Sequence, residues 1–361
     1  MNNEYNLILK LCSFLNPDTE GIKKLLSTHY DAANVLGHLL YNRMGPAAWF
    51  VLQASELTSL INREFRNSLQ MIYESSQKKA DNFRKMLAET AEILNDFDFP
   101  YAVLKGARLV YEYPDGLRTS NDLDILINQQ DITDLSVRLK SAGYIQGYVR
   151  NGKAVPASRK DILSSRLNRG ETVPFIKRIS ENSFNEIDIN FSLDYKAKQS
   201  STAVRQLLEE IKPMEIGRGQ MLMTLSDADF IIHLCTHLYK EATTYKWVEM
   251  GRDLSIYKFS DIYLLLSKYL DKSLSEKLIS RIYFCGLQKE CYFAIYLTSV
   301  LFPIENEYLN LVLNAIRPEN ISYISEIIDP AEGKTYEYNM PFVDWLFCAD
   351  RCAALTLKSE Q

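Results

Sequence analysis

The sequence predicts an α+β protein in which a small mixed β-sheet core is flanked by N-terminal and C-terminal helical regions. Three observations carry that prediction. Apolar residues recur with helical spacing over residues 1–98, and the same spacing returns from about residue 200 to the end. Between these regions, short apolar runs alternate with turn residues and single helical segments. The expected division is a helical region over 1–98, an α/β core over 99–195 and a second helical region over 196–361. A chain of 361 residues exceeds the size at which one hydrophobic core usually stops growing, which fits such a division.

The elements follow in order. The first region closes with a helix whose inner face is marked by Phe83, Met86, Leu87, Ala91 and Leu94 and which ends near Asn95. Pro100 opens the apolar run Tyr101 to Leu104, and Lys105-Gly106 leads into a helix, ARLVYEY, that Pro114-Asp115-Gly116 stops. Leu123 to Ile127 is the next strand. Asp131 is expected to cap a helix with Ile132, Leu135, Leu139 and Ala142 on its inner face and Gly143 as its stop. Tyr144 to Val149 returns as a strand. The polar stretch from Asn151 to Glu171, holding Lys153, Arg159, Lys160, Arg166 and Arg169, reads as a long loop or flexible insertion with some helix. Strands over Val173 to Ser180 and Phe184 to Phe191 complete the sheet.

Composition narrows the function. With 41 Lys plus Arg against 46 Asp plus Glu, the net charge of −5 disfavours a role in coating nucleic acid or an anionic membrane. The opening MNNEYNLILKLCSFLNPDTE has no basic leader, Lys10 breaks its apolar run, and no segment approaches a membrane span in length. A cytoplasmic protein without a membrane partner is expected. The six cysteines (Cys12, Cys235, Cys285, Cys291, Cys348 and Cys352) show no paired CxxC spacing and read as reduced thiols.

The chemistry concentrates on two strands. Alternation puts Asp122 and Asp124 on one side of their strand, with Leu123 and Ile125 on the other. In FNEIDINF the same alternation aligns Glu186, Asp188 and Asn190 opposite Ile187, Ile189 and Phe191. Carboxylates this close destabilise each other's ionised form, so a cation is expected among them. Hard oxygen donors select Mg²⁺, which is usually held by one or two carboxylates together with substrate phosphates. The expected metal is therefore Mg²⁺ on Asp122, Asp124 and Asp188, arriving with a nucleoside triphosphate. At the turn, Gly106 allows close backbone approach to phosphate, with Lys105 as a point charge and Arg118 as a bidentate fork. The plain alternatives are that Arg118 only neutralises Asp122 and that Lys105 is a solvated strand end.

Other groups carry less. Asp229, His233 and His237 form one stripe, but eight residues of helix rise about 12 Å, too far for all three to share one zinc ion. A polar helix face is the preferred reading. Asp261, among the aromatics of its segment, is a second-rank candidate for an acceptor pocket. The basic stretch 151–171 lacks interleaved aromatics and is either a lid over an anionic ligand or a solvated loop.

The segment LKGARLVYEYPDGLRTSNDLDILI resembles the signature of a bacterial nucleotidyltransferase-like family within the polymerase-β-like superfamily. It shows Leu-Lys-Gly, a helix, Tyr-Pro, Arg, then Asp-x-Asp and apolar residues. Looser similarity runs through IDINF, DFIIHLCTHLYKEA and LSIYKFSDIYLLL, over about residues 80–270. The resemblance implies a nucleotidyltransferase core and a metal-dependent transfer of a nucleoside monophosphate from a triphosphate, ATP first. The implied acceptor is a small molecule, a peptide or a protein, with nucleic acid disfavoured. By position, Gly106 matches the turn glycine, Asp122 and Asp124 the metal carboxylates, and Asp188 the third acid.

Two departures from the pattern stand out. Ala107 stands where the wider superfamily has Ser or Gly, and Asn190 where the family often has His. Asp188 is then left to take the acceptor's proton itself, or to leave it to water. The departures keep an alternative open, a non-catalytic nucleotide-binding or scaffold protein that retains the fold.

Overall fold

A computed structural model of the chain describes residues 2–168, 170–181, 183–192, 200–217 and 219–358, with backbone alone for Asn168 and residues 200–202. The chain divides into two compact units, residues 1–75 with 231–361, and residues 76–230. The segment 99–195 lies inside the second unit, and the 195/196 boundary falls outside the described residues.

The second unit holds a mixed sheet. Its strands among the described residues are β1 (Tyr101–Val103), β2 (Leu123–Ile127), β3 (Ile145–Arg150), β4 (Lys153–Pro156), β5 (Phe175–Ser180), β6 (Ser183–Asn190), β7 (Ile211–Gly217) and β8 (Gln220–Leu225). They lie in the order β4-β3-β5-β6-β2-β1-β8-β7. The β2/β6 and β1/β8 pairs are parallel and the other neighbours antiparallel. Alternation decides which face is dry. Leu123, Ile125, Ile127, Ile187 and Ile189 are fully buried, and they share a core with Phe83, Leu87 and Leu94 of the Arg63–Leu94 helix and Leu135 and Leu139 of the Ile132–Ser141 helix. Transfer of such side chains out of water is worth about 1.5–3 kcal/mol each. This face therefore fixes the register of β2 and β6.

Three local expectations are corrected. Helical patterning does not run on from residue 200, because the Ser200–Leu208 helix gives way to the β7/β8 hairpin. There Met214, Ile216 and Leu222 reach the core with the two-residue period of strands, which a reading tuned to helical spacing averages away. The stretch 151–171 is also more ordered than a loop: it contains β4 and the Arg159–Asn168 helix. Asn151 at φ 50° and Gly152 at φ 69° supply the two left-handed residues of a tight hairpin turn, flanked by the pair Arg150 and Lys153. Ser158 and Asp161 then cap the helix reciprocally, the Asp161 N–H donating to Ser158 Oγ at 3.1 Å and the Ser158 N–H to Asp161 Oδ2 at 3.2 Å. Arg169 lies outside the described residues.

The third correction concerns Asp131. It occupies the cap position of the Ile132–Ser141 helix, but its side chain makes no cap bond. Its backbone already has near-helical angles, φ −91° and ψ −3°, within the preceding 3₁₀ turn, whereas a capping side chain needs an extended backbone.

In the first unit, the N-terminal helices Asn3–Cys12, Thr19–Leu26 and Ala32–Tyr41 are each capped by a side chain that accepts from the first turn: Asn2, Asp18 and Asp31. The C-terminal helices include Ile256–Tyr269, Lys272–Cys285, Gln288–Leu301 and Glu307–Ile316. A small antiparallel sheet, β9 (Glu326–Asp329), β10 (Lys334–Glu337) and β11 (Thr356–Leu357), interrupts the all-helical expectation. Each of these strands has two to four residues, too short for periodicity to register. The cysteines are free thiols, and among the described residues no helix is long and apolar enough to cross a membrane.

The hairpin turn gives a direct test. Gly152→Ala places a Cβ at φ 69° and should destabilise the full-length protein by about 1 kcal/mol, seen as a lower urea midpoint. Asn151→Gly, which relaxes the same turn, should leave the midpoint within a few tenths of that scale or raise it.

Candidate active site

The parallel pairing of β2 with β6 sets Leu123 beside Ile187, Asp124 beside Asp188, Ile125 beside Ile189 and Leu126 beside Asn190. With the isoleucines committed to the core, the aspartates fall on the opposite face. Asp122, half-buried just before β2, accepts a hydrogen bond from Ser120 Oγ at 2.9 Å. Asp124 is 8% exposed, and its Oδ1 accepts from both Lys105 Nζ and Asn190 Nδ2 at 3.1 Å. Burial, then the charges of Asp124, Asp122, Glu186 and Glu171, hold the Asp188 carboxyl well above the usual carboxylate range. Burial and Asp122 raise Glu186 as well. The structure thus brings Asp122, Asp124 and Asp188 into one acidic cluster, with Glu186 and Glu171 contributing to its field.

One cationic side chain already stands among these charges. Lys105 pairs with Asp124, and its backbone sits at φ 44° and ψ −116°, a combination that side-chain-bearing residues rarely adopt. Neighbouring bonds hold it there. The Leu104 N–H donates to the Asp124 carbonyl at 3.0 Å, and the Lys105 carbonyl accepts from the N–H groups of Arg108 and Leu109. Gly106 follows at the start of a helix of only seven residues. A Cβ at Gly106 would stand 2.6 Å from Ser120 Cβ, so close packing of the Ser120 loop already requires glycine. Arg118, half-buried in the same loop, donates to the Thr119 carbonyl.

The donor chemistry fits Mg²⁺. Asp122, Asp124 and Asp188 are hard oxygen donors in a field negative enough to raise Asp188. Among the described residues, however, no group of three or more His, Cys, Asp or Glu side chains is arranged to hold a metal ion. One or two carboxylates are nevertheless enough protein donors for Mg²⁺, which commonly takes its other ligands from water and phosphate.

The remaining candidates resolve into structure. Asp229 is fully buried and accepts from Ser226 Oγ at 3.0 Å, a helix-start arrangement. In the first unit, His237 Nε2 lies 3.3 Å from Glu241, which also pairs with Lys258 at 2.6 Å. Asp261, 3% exposed, has too little surface to meet an acceptor. Sequence reasoning missed Ser120 as the donor to Asp122, Asn190 as a donor to Asp124 and Glu171 as a charge on Asp188. Alternation already placed Asn190 beside Asp188, whereas Glu171 meets Asn190 through an isolated bridge from a polar stretch with no local signal.

The chain belongs to a family described as uncharacterised nucleotidyltransferases, whose sequence model matches residues 31–303. Among solved structures it is similar to an antigenic nucleotidyltransferase-like protein from Paracoccidioides brasiliensis, at 14% identity over 58% of this chain and 92% of that one. The TM-score is 0.33, too low to argue from. Among the curated proteins none matches this chain.

Two outcomes test the geometry. Gly106→Ala should destabilise the protein by about 1–3 kcal/mol through the clash with Ser120, and adding Ser120→Gly should recover most of the loss in thermal melts. Asp188 holds its proton to higher pH in the folded chain than in the unfolded one, so folding loses stability as pH rises from the ordinary carboxylate range through the raised value. Asp188→Asn should therefore raise Tm at about pH 8 by roughly 2–4 °C, the displacement that about 1 kcal/mol produces, and leave it unchanged at about pH 4.

Proposed function

We propose that this protein is a metal-dependent nucleotidyltransferase of the polymerase-β-like kind. It moves a nucleoside monophosphate from a triphosphate, ATP first, to a small-molecule, peptide or protein acceptor in the cytoplasm. One observation carries the reading: the β2/β6 register that sets Asp124 beside Asp188, with Asp122 two residues away. Asp122 and Asp124 would hold Mg²⁺ delivered with the triphosphate. When bound, the ion neutralises phosphate charge and stabilises the leaving pyrophosphate.

The chain's own residues do the rest. Burial and its acidic neighbours hold Asp188 protonated while no cation is present; with a cation offsetting that charge it would be ionised and could take the proton from the acceptor hydroxyl. Arg118 presents a fork to phosphate oxygens, and Lys105 adds a point charge at the turn before Gly106. Family membership supports the transfer of a nucleotidyl group and leaves the acceptor unnamed.

A second reading, a nucleotide-binding protein without turnover, draws on Asn190, which bonds Asp124 where the related proteins often carry His. Asp188 separates the two. Asp188→Asn should leave triphosphate binding within a few-fold while lowering transfer by at least roughly a hundredfold, the scale of a lost general base. The measurement pairs calorimetry with pyrophosphate release, using each of the four triphosphates, Mg²⁺ and candidate acceptors. Asp124→Asn should abolish transfer in the same assay. Transfer at the wild-type rate by Asp124→Asn would remove the Asp-x-Asp strand from the mechanism, and no transfer by the wild type with any acceptor would favour the binding protein.

A further inference from the structure

Lys105 stands in an unusual combination of circumstances. Its backbone is in a conformation that favours glycine, yet the residue is a lysine. Strain of this kind costs about 1–3 kcal/mol and persists only where the surroundings impose it. Here they do so from both sides: Leu104 is tied to the Asp124 carbonyl, Gly106 is wedged against Ser120, and the Lys105 carbonyl starts a helix. The strained backbone accompanies an ammonium group placed 3.1 Å from Asp124 Oδ1, where the pair is only partly exposed at 23% and 11% of the side chains. Asn190 Nδ2 donates to the same oxygen.

We propose that Lys105 is a tethered counter-ion which occupies Asp124 in the absence of nucleotide, makes the site refuse bare divalent cations, and yields Asp124 only to a cation that arrives with a triphosphate. The inference rests on the reading of Asp122 and Asp124 as the Mg²⁺ carboxylates. A divalent ion alone must displace an ammonium group from Asp124 and brings no anion with it to receive that charge. A cation arriving with a triphosphate brings phosphate oxygens that receive the displaced Lys105, so the exchange conserves ion pairs. Binding of metal and triphosphate is thereby made cooperative, and Lys105 acts as a positioning and specificity residue rather than a group on the reacting atoms.

Mn²⁺, followed by the loss of its free-ion paramagnetic resonance signal, reports this without any transfer reaction. The full-length wild-type protein should bind Mn²⁺ weakly alone and much more tightly with a non-hydrolysable triphosphate. Lys105→Met removes the charge and keeps the length of the stem. It should raise affinity for Mn²⁺ alone at least roughly fivefold, the order expected when a partly buried ion pair no longer competes, while reducing the enhancement by triphosphate. Lys105→Arg, which retains the charge, should restore the wild-type preference for the ternary complex. Lys105→Gly relieves the backbone and removes the charge, and should behave as Lys105→Met in Mn²⁺ binding even if its Tm rises, which separates strain from charge. Equal affinity of wild type and Lys105→Met for Mn²⁺ alone would overturn the counter-ion role. Failure of every form to bind Mn²⁺ with triphosphate would overturn the metal-centre reading beneath it, and the counter-ion role with it.

Discussion

The parallel register of β2 against β6 is the constraint on which the rest depends. Ile125 and Ile189 can be buried together only if Asp124 and Asp188 also stand side by side on the other face. Two ionised carboxylates about 5 Å apart repel by about 3 kcal/mol at the effective dielectric typical of proteins. A partly exposed ion pair such as Lys105 with Asp124 returns no more than about 1 kcal/mol. The imbalance leaves Asp188 protonated to unusually high pH. The hydrophobic core therefore enforces an electrostatic frustration that a bound cation would relieve.

The surrounding details serve that arrangement. Ser120 gives a hydrogen bond to Asp122, and Asn190 gives one to the Asp124 oxygen that also pairs with Lys105. Gly106 lets the Ser120 loop pack against the start of its helix, and the strained Lys105 backbone immediately precedes it. Charged residues held this close under strain cost stability, and they are the feature on which the proposed function rests.

Much of this was legible in the sequence because the informative patterns are local. The strand Leu123–Ile127 coincides with its expected span, the helix face Phe83 to Leu94 lies in the core, and two-residue alternation put Asp124 and Asp188 on the side opposite the buried isoleucines, where the register sets them side by side. What escaped is non-local or conformational. Lys105's pairing with Asp124 spans 19 positions, and Glu171 acts on Asp188 from a segment without periodicity. Asp131 failed as a cap because a preceding 3₁₀ turn, invisible in residue types alone, had already set its backbone. The β3/β4 hairpin is a different case: the Asn151-Gly152 turn signal was present and was outweighed by the polar residues around it.

The central claim is that the acidic face of β2 and β6 receives a divalent cation with a triphosphate. The most direct measurement is a crystal structure grown with Mn²⁺ and a non-hydrolysable triphosphate, with the ion located by its anomalous scattering. The account predicts a peak about 2.0–2.3 Å from carboxylate oxygens of Asp122 and Asp124, bridged to phosphate oxygens, with Lys105 drawn from Asp124 onto the triphosphate. A triphosphate bound elsewhere, or an anomalous peak remote from both carboxylates while Lys105 stays on Asp124, would contradict it.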